Sequence, residues 1–257
     1  MKLALIGDPV SHSRSPQLHR RFLEEAELEG SYVAIRVPRG NAIDVIRRMR
    51  IDDYTGLNVT YPLKEEAIKA CDELTEQAKL AGSVNTIFFG RTVIGHNTDG
   101  IGAREALEQS LGQPVALERI GVLGTGATAR AILAQLRDTD AFTYVWGRSE
   151  EKVADLCERF EAQPWPARMP EIVISTLPSD VKLRDEMVEA LLQADVLMDT
   201  NYGARSTLGK QVHREIVKGD AMLEAQARAS FDFWLSHVQT LVEEELGDLD
   251  IGVQPAG

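Results

Sequence analysis

A glycine-rich turn in the middle of the chain restricts the fold more than any other feature of the sequence. The segment GTGATA begins at residue 124, follows an apolar run over residues 119–123 that is typical of a buried strand, and opens an amphipathic pattern over residues 127–136 that predicts a helix. Glycines at such a turn let a pyrophosphate approach the N–H groups at the start of the helix. The turn therefore predicts a dinucleotide-binding α/β fold, although an ordinary glycine-rich turn between strand and helix is the alternative. The residues expected to contact the cofactor are Gly124, Gly126, Ala127 and Thr128.

Short apolar runs alternate with amphipathic segments along the rest of the chain. The pattern predicts strands over residues 3–6, 32–37, 56–60, 84–89, 92–96, 119–123, 141–145, 172–175 and 196–199. It predicts helices over residues 16–27, 42–50, 65–78, 102–110, 127–136 and 150–160. Because such alternation is typical of mostly parallel sheets covered by helices, we expect two α/β units with a boundary near Asp99.

The segment GRSEEK, which follows the strand predicted over residues 141–145, distinguishes between the two nicotinamide cofactors. NAD sites usually carry an Asp or Glu at the end of this strand to bind the ribose 2′-hydroxyl, and a carboxylate is missing there. Arg148 can instead pair with a 2′-phosphate in bidentate fashion, Ser149 can donate its hydroxyl, and Lys152 adds positive charge. These residues predict NADP as the cofactor. The alternative is that Arg148 is an ordinary solvated arginine.

Composition excludes several classes of partner. The chain has 257 residues and a formal net charge of −12, and because polyanions are usually met by a basic surface, nucleic acid is not an expected partner. No run of about 18 uncharged apolar residues occurs, and the apolar stretch near the N-terminus is too short for a signal segment, so we expect a cytoplasmic protein that does not contact a membrane. The two distant cysteines, Cys71 and Cys157, indicate a reducing compartment and core packing. No metal site is expected.

Small polar residues collect at the predicted strand ends of the first half of the chain. They are Ser13 and Ser15 in GDPVSHSRSP, Thr60 and Lys64 in NVTYPLK, Asn85 in GSVNT and Asp99 in HNTDG. Ligands of open parallel sheets bind beyond the carboxyl ends of the strands, so these residues are candidates for one crevice. Each also has a simpler explanation, since asparagines favour turns, an aspartate before a helix is a common N-cap and a single lysine usually lies on the surface.

Seven segments together resemble the shikimate dehydrogenase family in their order and approximate spacing, from residue 4 to about residue 235. The segments are GDPVSHSRSP, NVTYPLKEEA, GSVNT, HNTDG, GTGATAR, GRSEEK and AQARASFDFW. The resemblance implies reversible, NADPH-dependent reduction of 3-dehydroshikimate to shikimate in aromatic amino-acid biosynthesis. It makes Lys64 and Asp99 the catalytic pair. It implies a substrate site that includes Ser13, Ser15, Thr60, Asn85, Tyr202 and Gln226.

The resemblance also implies a domain organisation. Residues 1–98 with 222–257 form the expected substrate-binding catalytic domain, and residues 99–221 form the expected Rossmann-type NADP-binding domain. One long C-terminal helix over residues 222–246 is expected to return to the first domain. A quinate or quinate/shikimate dehydrogenase and a non-catalytic NADP-binding regulator are the alternatives. Lys64 and Asp99 argue against the regulator, because a sensor needs no proton donor. The expected partner is a small-molecule substrate, shikimate or 3-dehydroshikimate, and the expected state is a monomer or a homodimer.

Overall fold

The computed structural model describes residues 1–166 and 168–250, which divide into two compact units. Unit 1 contains residues 1–74, residues 85–96 and the described residues from 228 onward. Unit 2 contains residues 75–84 and the described residues between 97 and 227. Within these described residues, no helix is both long and apolar enough to cross a membrane.

The bounds of these units differ from those of the expected domains. The differences fall at residues 75–84, 97–98 and 222–227, which all belong to unit 2. The chain therefore passes between the units more often than the sequence indicates. The expected domains remain a proposal about which part of the chain binds which ligand.

A mixed sheet forms the centre of unit 1. Its strands are β1 Lys2–Gly7, β2 Ser31–Arg36, β3 Gly56–Val59, β4 Glu73–Leu74, β5 Thr86–Phe89 and β6 Val93–His96. They lie in the order β2-β1-β3-β5-β6-β4, and β5 is the one strand of this sheet that runs against the others. The N-terminal end of β5 therefore lies at the same edge of the sheet as the C-terminal ends of β1 and β3.

Helices cover the sheet of unit 1. They are α1 Ser15–Glu25, α2 Ala42–Ile51, a 3₁₀ turn over Glu66–Ala70 and the later part of the C-terminal helix. Helix α1 buries Leu18, Phe22 and Leu23, whose spacing places them on one face. In the C-terminal helix Trp234 is fully buried, and its Nε1 donates a hydrogen bond to Ile87 O at 2.8 Å, so this helix is tied to β5.

Unit 2 contains a parallel sheet. Its strands are β7 Arg119–Leu123, β8 Phe142–Trp146, β9 Gln163–Pro164, β10 Ile172–Ser175, β11 Val196–Asp199 and β12 Val217–Lys218. All of the pairings among them are parallel, and the order β12-β11-β10-β7-β8-β9 reverses between β7 and β10. A crevice at the carboxyl ends of the strands is expected where the order reverses.

The helices of unit 2 pack on both faces of this sheet, which explains why its central strands are almost wholly apolar. They are α3 Glu76–Ala81, α4 Asp99–Leu111, α5 Ala127–Arg137, α6 Glu150–Phe160, α7 Asp185–Leu191, α8 Leu208–Val212 and the first part of α9 Gly219–Asp250. The largest core cluster joins Ile120 and Val122 of β7 to Ile132 of α5 and Leu107 of α4. Burial of these side chains holds the strand ends in place.

The helix predicted over residues 65–78 is wrong. A 3₁₀ turn, β4 and the start of α3 occupy this stretch. Asp72 explains the break, because its N–H donates to Val93 O at 2.8 Å and Val93 N–H donates to Asp72 Oδ2 at 2.8 Å. These two bonds hold the chain against β6 as an edge strand. A second difference is smaller: the helix predicted from residue 102 begins at Asp99.

Both cysteines are free thiols and lie half-buried. Burial, with the negative charge of Asp72 adding to it, raises the pKa of Cys71 to about 12. Burial also raises the pKa of Cys157. Both thiols therefore stay protonated at neutral pH, when the reactive form of cysteine is the thiolate.

Candidate functional sites

The loops that follow β1 and β3 leave the unit 1 sheet side by side. Thr60 N–H donates to Ile6 O at 2.9 Å, and Asp8 N–H donates to Tyr61 O at 2.9 Å. A Cβ atom on Gly7 would overlap the side chain of Thr60, so only glycine permits this approach. The local sequence thus brings the two loops with the predicted site residues to one edge of the sheet.

The two predicted serines of the first loop are hydrogen-bonded to each other. Ser13 Oγ donates to Ser15 Oγ at 3.2 Å and accepts from Ser15 N–H at 3.2 Å. Ser15 is buried at the start of α1, whereas Ser13 is half-buried. The N-terminal end of a helix favours an anion, so two hydroxyls fixed at this position suit a carboxylate.

Thr60 and Lys64 lie on the turn that follows β3. Leu63 N–H donates to Thr60 O at 2.9 Å, and Ala67 N–H donates to Leu63 O at 2.9 Å, so the turn leads directly into the 3₁₀ segment. Thr60 and Lys64 are both half-buried. A half-buried ammonium close to a strand end is well suited to donate a proton to a ligand.

Asn85 lies at the same edge for a different reason. It precedes β5, and since β5 is reversed, its N-terminal end meets the carboxyl ends of β1 and β3. Its backbone is fixed on both sides, because Val59 N–H donates to Asn85 O at 2.8 Å and Asn85 N–H donates to His96 O at 3.1 Å. Its side-chain Oδ1 accepts the hydroxyl of Thr86 at 2.9 Å. Unit 1 therefore places Asn85 at the edge that holds the two loops.

In unit 2, Thr98 connects two further predicted residues. Asp99 is buried and is the first residue of α4, with its N–H donating to Asn97 Oδ1 at 3.0 Å. The simpler alternative, that Asp99 is an N-cap, is therefore wrong, since Thr98 holds that position. Thr98 Oγ1 donates to Gln226 Oε1 at 3.4 Å, and Gln226 Nε2 donates to Leu223 O at 2.9 Å. The sequence identified Asp99 and Gln226 but missed Thr98, which precedes Asp99 in the chain and bonds to Gln226.

Tyr202 follows β11 in a segment organised by a buried aspartate. Asp199 Oδ1 accepts hydrogen bonds from Asn201 N–H at 3.0 Å and from Asn201 Nδ2 at 2.8 Å. Its Oδ2 accepts from Ser206 Oγ at 3.1 Å and from Leu208 N–H at 3.3 Å. Tyr202 is half-buried within this segment. Asp199 was not identified from the sequence, since nothing except its place at a strand end indicates that it fixes the following loop.

The glycine-rich turn in unit 2 has the form that its sequence predicts. Gly124 has a φ of +118°, which favours glycine, and a Cβ there would overlap Thr176 Oγ1. Thr176 ties β10 to β7, because its N–H and its hydroxyl both donate to Leu123 O, at 2.9 Å and 2.8 Å. Gly126 has open space where a Cβ would stand, and no described side chain caps the start of α5.

Arg148, Ser149 and Lys152 stand at the start of α6. Ser149 is the N-cap, with its Oγ accepting Lys152 N–H at 3.3 Å, and its own hydroxyl hydrogen is still a donor. Arg148 and Lys152 are exposed. Glu150 and Glu151 lie in the first turn of the same helix. Their negative charge opposes a phosphate, so the cations are needed to hold one.

These residues fit NADP on three observations. The backbone at Gly126 is open to a ligand, the first N–H groups of α5 are not capped by a described side chain, and Arg148 is a cation at the end of the neighbouring strand β8. Helix N-termini bind phosphate through these N–H groups. In the part of the chain that the structure describes, no group of three or more His, Cys, Asp or Glu side chains is arranged to hold a metal ion.

One buried titratable residue of unit 1 was missed by the sequence analysis. His19 in α1 is fully buried and stacks on Tyr32 with ring centroids 4.4 Å apart, and neither of its ring nitrogens has a hydrogen-bond partner among the described residues. Burial, and then the positive charge of Arg228, lowers the pKa of His19 to about 3. The Asn58 amide acts in the opposite direction, but its oxygen is already used by the Tyr32 hydroxyl.

The two units together have the features of a known class of α/β protein. Unit 2 has the parallel sheet, the reversal of strand order and the glycine turn of a Rossmann-type dinucleotide-binding domain. Unit 1 has a mixed sheet whose edge carries hydroxyl, amide and ammonium groups. A dinucleotide-binding unit combined with such an α/β unit is typical of enzymes that transfer a hydride to or from a small polar substrate.

Comparison with known proteins identifies the family. Residues 5–87 match the shikimate dehydrogenase substrate binding domain. A shikimate dehydrogenase (NADP(+)) from Janthinobacterium sp. (strain Marseille) is 33% identical over 90% of this chain and 90% of its own length, and one from Bacillus licheniformis is 29% identical over 95% and 96%. The crystal structure of shikimate 5-dehydrogenase from Thermus thermophilus in complex with NADP(H) and shikimate is 29% identical, with a TM-score of 0.80 over 91% of this chain and 93% of that chain. The chain belongs to the shikimate dehydrogenase family, which confirms the resemblance and the fold class inferred from the sequence.

Proposed function

We propose that this protein is an NADP-dependent shikimate dehydrogenase that catalyses the reversible reduction of 3-dehydroshikimate to shikimate in aromatic amino-acid biosynthesis. The observation that carries the proposal is that a chain of this family retains a polar sheet edge with a lysine in unit 1 and an open glycine turn in unit 2. The relatives named above supply the cofactor and the reaction by their own names.

The substrate is a small acid with several hydroxyl groups, which requires many neutral donors and acceptors. Ser13 and Ser15 bind its carboxylate, because both hydroxyls are held at the start of α1. Tyr202 adds a contact to the same carboxylate. The residues assigned to the ring hydroxyls are Thr60, Asn85, Asp99 and Gln226.

NADP is assigned to unit 2. Gly124, Gly126, Ala127 and Thr128 receive its pyrophosphate. Arg148 pairs with the 2′-phosphate, Ser149 donates its hydroxyl, and Lys152 adds a more distant positive charge. When bound, NADPH supplies the hydride that reduces the ketone carbon.

A residue of the chain supplies the proton for the reduction. As the ketone carbon is reduced, its oxygen gains negative charge, and the ammonium of Lys64 donates a proton to that oxygen to give the hydroxyl group. In the reverse direction the amine of Lys64 takes the proton back. Asp99 is the second member of the proposed catalytic pair. A positioned ammonium stabilises the negative oxygen of the transition state better than water does, because it is already oriented before the reaction begins.

An absorbance assay at the nicotinamide band tests this proposal. Purified protein is given shikimate or quinate, each with NADP or NAD. We expect rapid NADPH formation from shikimate and NADP, and much slower reduction in the three other combinations. The Lys64→Ala protein, purified in the same way, controls for dehydrogenase from the expression host. Faster turnover of quinate would identify a quinate dehydrogenase, and NADP binding without turnover of either acid would identify a regulator.

The remaining parts of the proposal concern partners and location. We assign a cytoplasmic monomer or homodimer whose partners are small molecules. The net charge of −12 supports the exclusion of nucleic acid. Light scattering coupled to gel filtration measures the oligomeric state, and a mass of two chains or one is expected.

A further inference from the structure

Asn85 is supported from behind by a continuous set of buried hydrogen bonds within unit 1. Tyr32 Oη donates to Asn58 Oδ1 at 2.8 Å, and Asn58 Nδ2 donates to Ser230 Oγ at 3.1 Å. The hydroxyls of Ser230 and Thr86 are 2.7 Å apart, and Thr86 Oγ1 donates to Asn85 Oδ1 at 2.9 Å. All five residues are buried. We refer to this set as the Asn85 network.

The single hydroxyl hydrogen of Thr86 fixes the direction of its contact with Ser230. Thr86 has one hydroxyl hydrogen and gives it to Asn85 Oδ1, so Ser230 has to be the donor in its contact with Thr86. The oxygen of the Asn58 amide accepts from Tyr32, so its Nδ2 group faces the other members, within hydrogen-bond distance of Ser230 Oγ at 3.1 Å, Asn85 O at 3.0 Å and Thr86 Oγ1 at 3.3 Å. The Asn85 amide is therefore oriented with its oxygen toward the network. Its Nδ2 group is the one that it presents on its other side.

The position of Ser230 in the fold is unfavourable for a hydroxyl group unless that group is hydrogen-bonded. It lies in the interior of α9, where alanine has the better helix propensity, and it is fully buried, where a hydroxyl is costly unless it is hydrogen-bonded. Its partners Thr86 and Asn58 are 144 and 172 residues away in the sequence. The hydroxyl thus has a structural cost that its role in the Asn85 network offsets. A merely space-filling residue at this place would be alanine.

We propose that Ser230 is a positioning residue for substrate recognition, which acts through Thr86 to hold the Asn85 amide with its Nδ2 as a donor toward a hydroxyl oxygen of the ligand. The inference rests on the assignment of Asn85 to shikimate made above. Without the Ser230 hydroxyl, Thr86 Oγ1 loses its shortest contact and keeps only the longer one from Asn58 Nδ2 at 3.3 Å, so its hydroxyl hydrogen is held less firmly on Asn85 Oδ1. The Asn85 amide can then present either of its polar atoms, which weakens binding of the substrate but not of the cofactor.

Steady-state kinetics of Ser230→Ala test this inference. We expect the shikimate KM to rise by about 3- to 10-fold, as for one lost hydrogen bond, with kcat and the NADP KM changed by less than about twofold. Thr86→Val, which keeps the shape of the side chain, is expected to act in the same direction. Ser236→Ala is the matched control, because Ser236 lies in the same helix, is exposed and donates its hydroxyl to Phe233 O one turn earlier. It is expected to leave all three constants unchanged.

A double-mutant cycle separates positioning from a general loss of structure. If Ser230 acts through Asn85, then Ser230→Ala adds less than about twofold to the shikimate KM once Asn85→Ala is present. Additive effects of the two substitutions, or an equal rise of the shikimate and NADP KM values in Ser230→Ala, would overturn the proposal.

Hydrogen exchange provides a readout that does not depend on the reaction. If the wild-type protein does not oxidise shikimate, the proposed function fails, and the Asn85 network is then judged by NMR from the exchange of the Asn85 side-chain amide with solvent. We expect exchange to be at least about tenfold faster in Ser230→Ala than in the wild type and in Ser236→Ala, because the local hydrogen bonding is weaker. Equal exchange rates in all three proteins would reject the role of Ser230.

Discussion

The two units hold their functional residues in opposite ways. In unit 1, Asn85 is fixed by a set of buried side-chain hydrogen bonds, and Ser13 and Ser15 are bonded to each other. In unit 2, the proposed cofactor contacts come from backbone N–H groups beside the open Gly126 and from the exposed Arg148. A small acid offers few atoms for recognition, so each side chain that contacts it must be held in a fixed orientation. A dinucleotide offers many contacts, so one of them can come from an exposed cation.

This difference predicts where substitutions will be harmful. A change at the polar edge of unit 1 should reduce substrate binding or turnover strongly, and a change beneath it should also reduce stability. A change at the exposed cations of unit 2 should leave the fold intact and alter only the choice of cofactor. The predictions below test this contrast in order of decreasing expected effect.

Lys64→Ala is expected to have the largest effect. Loss of the proton donor should lower kcat by about 10² to 10⁴, while the shikimate KM stays within a few-fold, because the group acts mainly in the transition state. Lys69→Ala is the matched control, since Lys69 is an exposed lysine of the following 3₁₀ turn. Near-normal turnover of Lys64→Ala would remove Lys64 from the mechanism.

Acid should destabilise the protein through unit 1. Burial, with smaller effects of neighbouring charges, lowers the pKa of His19 to about 3 and that of His96 to about 4. Below pH 6.5 the unfolded chain binds protons that the folded chain does not, so stability falls as the pH drops from about 6.5 toward 4. Each histidine should contribute a loss of about 2 kcal/mol between pH 6.5 and pH 4.5.

His19→Phe isolates one of these contributions. The phenyl ring keeps the stack on Tyr32 but cannot bind a proton, so the loss of unfolding free energy between pH 6.5 and pH 4.5 should shrink by about 2 kcal/mol. Urea unfolding, followed by circular dichroism at both pH values, measures this. Above pH 7 the variant and the wild type should respond to pH in parallel. An undiminished acid response in His19→Phe would show that His19 already binds a proton in the folded protein.

Ser13→Ala and Ser15→Ala should act on the shikimate KM. Each removes a hydrogen bond to a charged carboxylate, which should raise the KM by about 10- to 100-fold. Because the two hydroxyls are hydrogen-bonded to each other, the double variant should lose less than the product of the single effects. Ser11→Ala, at an exposed position of the same loop, is the control. An unchanged KM in both single variants would mean that the loop serves only the fold.

The sequence predicted best those features that depend on neighbouring residues. The strands at Ile172–Ser175 and Val196–Asp199 and the helix at Glu150–Phe160 have their predicted bounds, because a hydrophobic period or a cap such as Ser149 is read locally. The glycine turn was also predicted from neighbouring residues alone. The helix predicted over residues 65–78 failed since its break depends on bonds to a distant strand.

The sequence could not predict how the candidate residues are supported. Ser230 and Asn58 are 172 residues apart, and no pattern in either segment indicates that their side chains meet. His19 occupies an ordinary apolar position of a helix, so nothing in its neighbours reveals that its ring nitrogens lack partners among the described residues. Family motifs identify the residues that would touch a ligand. The packing behind those residues can be identified only from the three-dimensional structure.

Arg148→Ala is expected to have the smallest effect and the most selective one. Arg148 is exposed, so the lost pair with the 2′-phosphate should weaken NADP by about 5- to 30-fold, less than a buried charged pair would. NAD, which has no 2′-phosphate, should be nearly unaffected.

Arg148→Asp should weaken NADP binding more than Arg148→Ala does, because the carboxylate repels the phosphate and can accept a hydrogen bond from the ribose 2′-hydroxyl of NAD. Lys152→Ala should change less than Arg148→Ala, since an exposed ammonium is well solvated and is screened by salt. The measurement is kcat/KM with both cofactors at fixed ionic strength. If the wild type prefers NAD, or if Arg148→Ala weakens both cofactors equally, Arg148 does not recognise the phosphate, and the contrast between a buried, hydrogen-bonded substrate edge and an exposed cofactor edge loses its main support in unit 2.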